Sequence, residues 1–240
     1  MSKNIQILDC TLRDGGLGLE DAEKNDLSHV RFSENDSRMT AGYLADSAID
    51  IIELGSIEIT SDDRTGFCIY KNIEDISKQM PLKKKQNQMF AALYRGPDTP
   101  IDDIPKWNPS LCEAVRVIIR YSELQKSLDF CAALSSKGYK VFVQPMLTMR
   151  YTKEEIQLLI EKSNEMNAYA LYFVDSYGYM ENRDVVDLFN VYDEGLKPQI
   201  KIGFHAHNNM NLAFSNVQTF IDMNSARDII CLLYTSPSPR

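Results

Sequence analysis

The chain has 240 residues, 44% of them hydrophobic and 25% charged, which is ordinary for a globular protein able to bury a sizeable core. A formal net charge of −8 argues against nucleic-acid or anionic-membrane partners, because both require basic patches. Five scattered cysteines without Cys-x-x-Cys spacing exclude a disulfide framework and a zinc knuckle, and read as thiols of a reducing compartment. With no apolar run of about 18 residues and no secretory-type start, the expected location is the cytoplasm.

The first element is a strand over Ile5–Asp9. It runs into Cys10-Thr11-Leu12-Arg13-Asp14-Gly15-Gly16. An Asp-Gly-Gly after a strand reads most simply as a turn; Asp14 is also a candidate ligand. Residues Leu17–Phe32 form a polar, charged insertion, longer than the usual βα loop of about 2–6 residues. It is expected to be a mobile lid or a solvated excursion. Ser33-x-x-Asp36 opens a helix over Ser33–Ala48 with a capping pattern. A strand over Asp50–Leu54 follows, then a short helix over Ile73–Met80 and a basic run, Lys83–Lys85, read as solvated loop.

Further strands are expected over Met89–Tyr94, Val115–Arg120, Lys140–Pro145, Ala170–Asp175 and Ile200–His205. Several are apolar on consecutive positions, which suits parallel strands covered on both faces. Helices are expected over Ser122–Ser136, Thr152–Met166, Asn182–Glu194 and Asn211–Met223. The first of these stops at Lys137-Gly138 and the second opens with the capping box Thr152-Lys-Glu-Glu155.

Seven β-then-α units and the start of an eighth, Asp228–Cys231, predict an α/β fold: a (β/α)8 TIM barrel, truncated near strand 8. Residues 1–231 would form the catalytic domain. The remainder, ending Pro237-Ser-Pro239-Arg240, cannot be a barrel strand and helix. It resembles translated sequencing-adapter read-through and is expected to be foreign. The barrel is therefore expected to stay open, with exposed edges on its first and seventh strands.

Functional side chains in such barrels sit at the C-terminal ends of strands. Arg13-Asp14 and His205-x-His207 both fall there. Residues i and i+2 of a strand share a face, so two imidazoles can meet one point. Two of the chain's three histidines are these two. With Asp14 they make a plausible ligand set for a divalent ion.

Asp9-x-Thr11-Leu12-Arg13-Asp14-Gly15 together with His205-x-His207-Asn208 resembles the DRE-TIM metallolyase, or HMGL-like, superfamily. Ile52-Glu53-Leu54-Gly55 and Val174-Asp175-Ser176-x-Gly178 agree with it. The resemblance implies a divalent ion (Mn2+, Mg2+, Co2+ or Zn2+) held by Asp14, His205 and His207. It implies Arg13 as the catalytic donor to an enolate oxygen of a 2-oxo acid such as pyruvate. Glu53, Ser176 and Asn208 become substrate contacts or supports, and a homodimer is expected.

Gly16-Leu17 departs from the Asp-Gly-x-Gln of acyl-CoA condensing synthases and leans towards the 4-hydroxy-2-oxovalerate aldolase-like branch. Those aldolases carry a catalytic histidine where this chain has Leu17, which transfers no proton. Replacement bases are His29, Tyr43, Tyr151 or metal-bound water. The competing readings are an acyl-CoA-dependent Claisen-type synthase, a metal-dependent hydrolase, and a barrel that binds metal without catalysis.

Overall fold

The computed structural model describes residues 4–59, 62–81 and 85–232. Strands and helices alternate in the order β1 (Ile5–Asp9), α1 (Thr11–Lys24), α2 (Glu34–Asp46), β2 (Ile51–Ile57), β3 (Ile69–Tyr70), α3 (Ile73–Ser77), β4 (Met89–Tyr94), β5 (Ala114–Ile119), α4 (Leu124–Ser136), β6 (Lys140–Pro145), α5 (Lys153–Glu165), β7 (Ala170–Val174), α6 (Asn182–Gly195), β8 (Lys201–His205), α7 (Ala213–Asp222) and β9 (Ile229–Leu232). All strand pairings are parallel, in the order β1-β9-β8-β7-β6-β5-β4-β2, and a β1–β2 pairing closes the ring. The two-residue β3 pairs with the end of β2, outside the ring. The barrel expected from the alternation is present.

The open seam is not. β9 pairs with β1 from Ile5↔Ile229 to Leu8↔Leu232, and with β8 from Ile202↔Ile229 to Phe204↔Cys231. Four apolar residues, all buried, supply enough ladder to seal both edges. Leu232, the first residue of the expected foreign tail, pairs in β9, while 233–240 and Lys83 and Lys84 of the basic run lie outside the described residues. No described helix is long and apolar enough to cross a membrane.

Alternation along the strands sorts the core into two layers. Ile52, Ala92, Val143 and Phe173 face outwards and pack with helical residues such as Ala41, Leu128, Leu159 and Phe189. Their neighbours Ile51, Ala91, Phe142 and Tyr172 fill the lumen with Leu8, Met89 and Ile230. At the N-terminal end Tyr169 plugs the barrel. Its ring lies between Lys140 and Lys201, with ammonium-to-centroid distances of 5.6 and 5.3 Å, and its hydroxyl donates to Gln6 Oε1 at 3.0 Å. By the same parity, Glu53, Arg116, Gln144 and His205 project into the lumen near the other end.

The insertion after β1 is where the fold departs most from expectation. No turn forms at Asp14-Gly15-Gly16: α1 starts at Thr11 and runs to Lys24. Asp9 initiates it, its carboxylate accepting from Thr11 N at 2.9 Å and Thr11 Oγ1 at 3.0 Å. Glycine is a poor helix former, but Gly16 is set by packing. A Cβ there would stand 1.9 Å from the Phe67 carbonyl oxygen. The helix therefore lies directly on the 65–67 turn. The rest of the insertion is tied down and is not a free lid. Phe32 N donates to Gly66 O at 2.8 Å, and Arg31 pairs with Glu23 and covers the Phe67 ring at 4.9 Å.

The two helical glycines of known contrast give a direct test. Nothing lies within 4 Å of a Cβ added at exposed Gly18. Gly18→Ala is expected to stabilise the fold by about 0.5–1 kcal/mol through helix propensity. Gly16→Ala is expected to destabilise it by about 1–3 kcal/mol through overpacking. Urea melts of the two variants check the pair, and equal effects would contradict the packing account.

Candidate functional site

Helix α1 begins where β1 ends, so its first turn sits over the barrel mouth. Arg13 and Asp14 occupy that turn, where an anion is favoured by the helix N-terminus. Asp14 is buried, its carboxylate taking a bond from Arg13 Nη1 and one from the Cys10 thiol at 3.2 Å. Arg13 Nε donates to Glu53 Oε2 at 2.8 Å. The other Glu53 oxygen accepts from Arg116 Nη1 at 2.7 Å. Glu53 and Arg116 have no exposed surface at all. Four charges thus alternate in sign across the lumen: Asp14, Arg13, Glu53, Arg116. Burial works against the charge on Arg13, but Glu53 and then Asp14 more than offset this, and its pKa is raised.

The two histidines form a shelf beside this row. Their rings stack with centroids 4.5 Å apart and planes 28° apart. His207 Nδ1 lies 2.7 Å from the Asp175 carbonyl oxygen. A carbonyl only accepts, so Nδ1 carries the proton that faces it, and Nε2 is the ring atom left to ligate. His205 Nδ1 lies 2.9 Å from the Gln144 amide Nε2, and the amide Oε1 has no hydrogen-bond partner among the described residues. With that amide turned by half a rotation, Oε1 accepts from Nδ1–H and Nε2 of His205 is free to ligate. This is the support pattern of metal-binding imidazoles. Burial, and then the charges of His207, Arg116 and Arg13, hold His205 well below the ordinary histidine range, so it is neutral at working pH.

The donor set therefore fits a divalent ion at the histidine pair. The third expected ligand is not assembled with it. Among the described residues no three His, Cys, Asp or Glu side chains stand together closely enough to hold a metal ion. Asp14 is turned instead to Arg13 and Cys10, because in the protein alone the guanidinium is its nearest counter-charge.

Other sequence candidates have local work. Ser176 Oγ accepts from Leu147 N at 2.8 Å, bracing a left-handed residue of φ 58°. Asn208 does not support the histidines with its side chain: its Oδ1 accepts from Ala213 N at 3.1 Å, at the start of α7. The histidine loop is held through backbone, Met210 N donating to Gly178 O at 3.0 Å. At Gly178 (φ 65°) a Cβ would meet Asn209 N at 2.6 Å, so glycine is required there. Of the candidate bases, His29 is exposed and pairs with Asp26 at 3.4 Å. Tyr43 is exposed, and burial raises the pKa of Tyr151, whose hydroxyl donates to Ile119 O.

Sequence reasoning missed Arg116 and Gln144, although a charge inside Val115-Arg116-Val117-Ile118-Ile119 is itself a signal. It also missed a second ion cluster beside Arg13. Buried Glu20 of α1 pairs with Arg64, and Arg64 and Arg95 each reach Glu58 Oε2 at 2.9 Å. Burial lowers the pKa of Arg95 while Glu58 raises it, and the nearby charge of Arg13 lowers it further. A cavity of about 520 Å³ lies elsewhere, between α2, β3 and α3, and includes none of the residues of the lumen row or the histidine shelf.

The buried neutral His205 couples stability to pH. Its folded pKa lies below the ordinary 6.5, so the unfolded chain binds the extra proton. The stabilisation is complete above about pH 6.5 and is lost as pH falls, by up to about 1.4 kcal/mol per unit. Urea melts of the metal-free protein between pH 7.5 and 5 should show this loss, and His205→Asn should flatten it. Equal slopes in the two proteins would sink the assignment.

Comparisons with known proteins bear on the family and the fold. The chain is 26% identical over 236 residues to the 4-hydroxy-2-oxovalerate aldolase of Shewanella woodyi, covering 94% of this chain and 64% of that protein. It is 28% identical over 229 residues to the enzyme of the same name from Carboxydothermus hydrogenoformans, covering 92% and 63%. The chain thus spans less than two thirds of the length of these relatives. Among solved structures, the N-terminal domain of a protein assigned as an aldolase from Bacteroides vulgatus superposes with a TM-score of 0.72 at 21% identity, covering 95% of this chain and 72% of that one. The HMG-CoA lyase of Brucella melitensis gives 0.69 at 10% identity, covering 96% and 81%. At these identities the structural likeness speaks for the fold. Residues 4–227, nearly the whole described chain, match HMGL-like, and the protein belongs to the HMGL-like family.

Proposed function

We propose that this chain is the catalytic barrel of a divalent-metal-dependent carbon–carbon lyase that acts through the enolate of a 2-oxo acid such as pyruvate. The observation that carries the reading is the meeting, at one end of the lumen, of a two-histidine shelf and a largely buried arginine held between two carboxylates. The relatives named 4-hydroxy-2-oxovalerate aldolase support an aldol-type cleavage of a 4-hydroxy-2-oxo acid.

A divalent ion held by His205, His207 and Asp14 would supply Lewis acidity at the keto oxygen of the substrate when bound. Gln144 and the Asp175 carbonyl keep the two rings oriented for it. Arg13 supplies the second electrostatic contribution. Its guanidinium stays protonated, and it donates to the oxygen on which negative charge grows as the C–C bond breaks. Because Glu53 and Asp14 already fix that guanidinium, little reorganisation is needed during reaction. The buried lumen excludes bulk water and strengthens the interaction. Cleavage of the C3–C4 bond turns the C4 hydroxyl into a carbonyl, whose proton passes to water, and leaves the enolate electron pair at C3, where a proton must be delivered. Leu17 cannot carry it, and with His29 and Tyr43 exposed and Tyr151 bonded to backbone, this reading assigns the proton to water at the mouth.

The test is exchange of the C3 protons of pyruvate with deuterium oxide, followed by proton NMR. The expected result is exchange that needs added magnesium, manganese or cobalt and stops with a chelator. Arg13→Lys should slow it by about 10²–10³-fold, the usual cost of losing one preorganised donor. No exchange with any of the three ions would overturn the reading.

A further inference from the structure

Arg116 sits in the middle of β5 without exposed surface, the largest of the fully buried side chains, and the reaction proposed above does not use it. Its neighbours Val115 and Val117 face the helical layer, so the guanidinium lies in the lumen. A buried charge costs several kcal/mol unless it is paired; its partners therefore define its task. Nη1 donates to Glu53 Oε1 at 2.7 Å. The guanidinium carbon lies 5.3 Å from the Tyr172 ring centroid, a cation–π distance. Nε and Nη2 have no hydrogen-bond partner among the described residues. Arg116 is thus built around one strong contact, to a carboxylate that also holds Arg13.

The geometry of that shared carboxylate matters. An isolated arginine–carboxylate pair prefers the bidentate fork, two parallel bonds to both oxygens. Here Arg116 occupies Oε1, and Arg13 reaches only Oε2, through Nε at 2.8 Å. The single bond leaves the outer edge of the Arg13 guanidinium for Asp14 and for substrate. Without Arg116, both Glu53 oxygens would be available, and Arg13 would be drawn down into the lumen as a fork.

We infer that Arg116 is a positioning residue whose charge occupies one oxygen of Glu53 and so keeps Arg13 aimed at the barrel mouth. The inference rests on the lyase reading, in which Arg13 is the donor being aimed. It concerns only residues of this chain, and its primary readout needs neither metal nor turnover.

The experiment follows the Arg13 Nε–H resonance in 15N-labelled full chain, assigned by its loss in Arg13→Lys. The metal-free wild type is expected to show it as a slowly exchanging signal. Arg116→Met should shift or lose it, and Arg116→Lys, which keeps the charge, should retain it. In the exchange assay with metal, Arg116→Met should lower kcat by about 100-fold, as for a misplaced catalytic group, with KM for pyruvate much less affected. Arg116→Lys should stay within about tenfold of wild type. A purely structural Arg116 would lower the melting temperature of Arg116→Met but leave the Arg13 signal and the rate per folded molecule unchanged, and that result would overturn the inference. If wild type itself shows no exchange, the lyase reading fails, while the Arg13 signal in Arg116→Met still decides the positioning role. Should Arg116→Met not fold, Glu53→Gln decides: an Arg13 signal at its wild-type position would show that the shared carboxylate does not aim it.

Discussion

The Glu53 carboxylate is the constraint on which the rest of the site depends. It lies in the lumen with no exposed surface and takes one arginine on each oxygen. Removing one partner of such a buried set typically costs about 3–5 kcal/mol, because it strands the others away from water. The row from Asp14 through Arg13 and Glu53 to Arg116 is therefore a rigid unit. It spans three elements: α1 at the end of β1, the adjacent β2, and β5, which lies beyond β4 in the ring. The barrel cannot relax around one of these residues without moving the others.

Everything that brings Arg13 to this row is packing. Asp9 starts α1 immediately after β1, Leu12 buries against the sheet, and Gly16 lets the helix settle on the 65–67 turn. Farther along, Glu20 joins Arg64 and, at 3.7 Å, Arg95. The helix is thus anchored at both ends, by buried ions of opposite sign arrangement. The histidine shelf is held differently. β8 carries His205 into the lumen, while His207 depends on a bond from its ring to the Asp175 carbonyl and on the close approach of Gly178. The two halves of the site belong to opposite ends of the chain. They meet because β9 joins β8 to β1.

Burial also decides the chemistry available to each group. All five cysteines are buried and none is in a disulfide. Cys10 is the one that touches the site, lending its thiol to Asp14. His205 is neutral because its surroundings are dry and already positive, which suits a ligand and not a proton donor. A charged, strongly hydrogen-bonding guanidinium beside the neutral imidazole of His205 is an arrangement that can stabilise an oxyanion.

The order of strands and helices was legible in the sequence, because consecutive apolar runs and helical stripes differ in period and length. Ile5–Asp9 and Lys140–Pro145 were placed to the residue, and the capping boxes at Ser33 and Thr152 formed as read. Arg13, His205 and His207 could be singled out because few residue types do this chemistry. Three things were not legible. Asp-Gly-Gly read as a turn, since local propensity carries no information about the carbonyl of Phe67 that Gly16 must clear. The seam read as open, since the expected tail began at Leu232 and hid the fact that Ile229–Leu232 suffice to pair both neighbours. Arg116 passed as part of an apolar strand, since its worth comes from Glu53, 63 residues away in the chain. Composition and spacing determine which groups are present and which face of an element they share. Only closure of the barrel decides which buried charges meet, because pairing across the lumen depends on register between strands far apart in sequence.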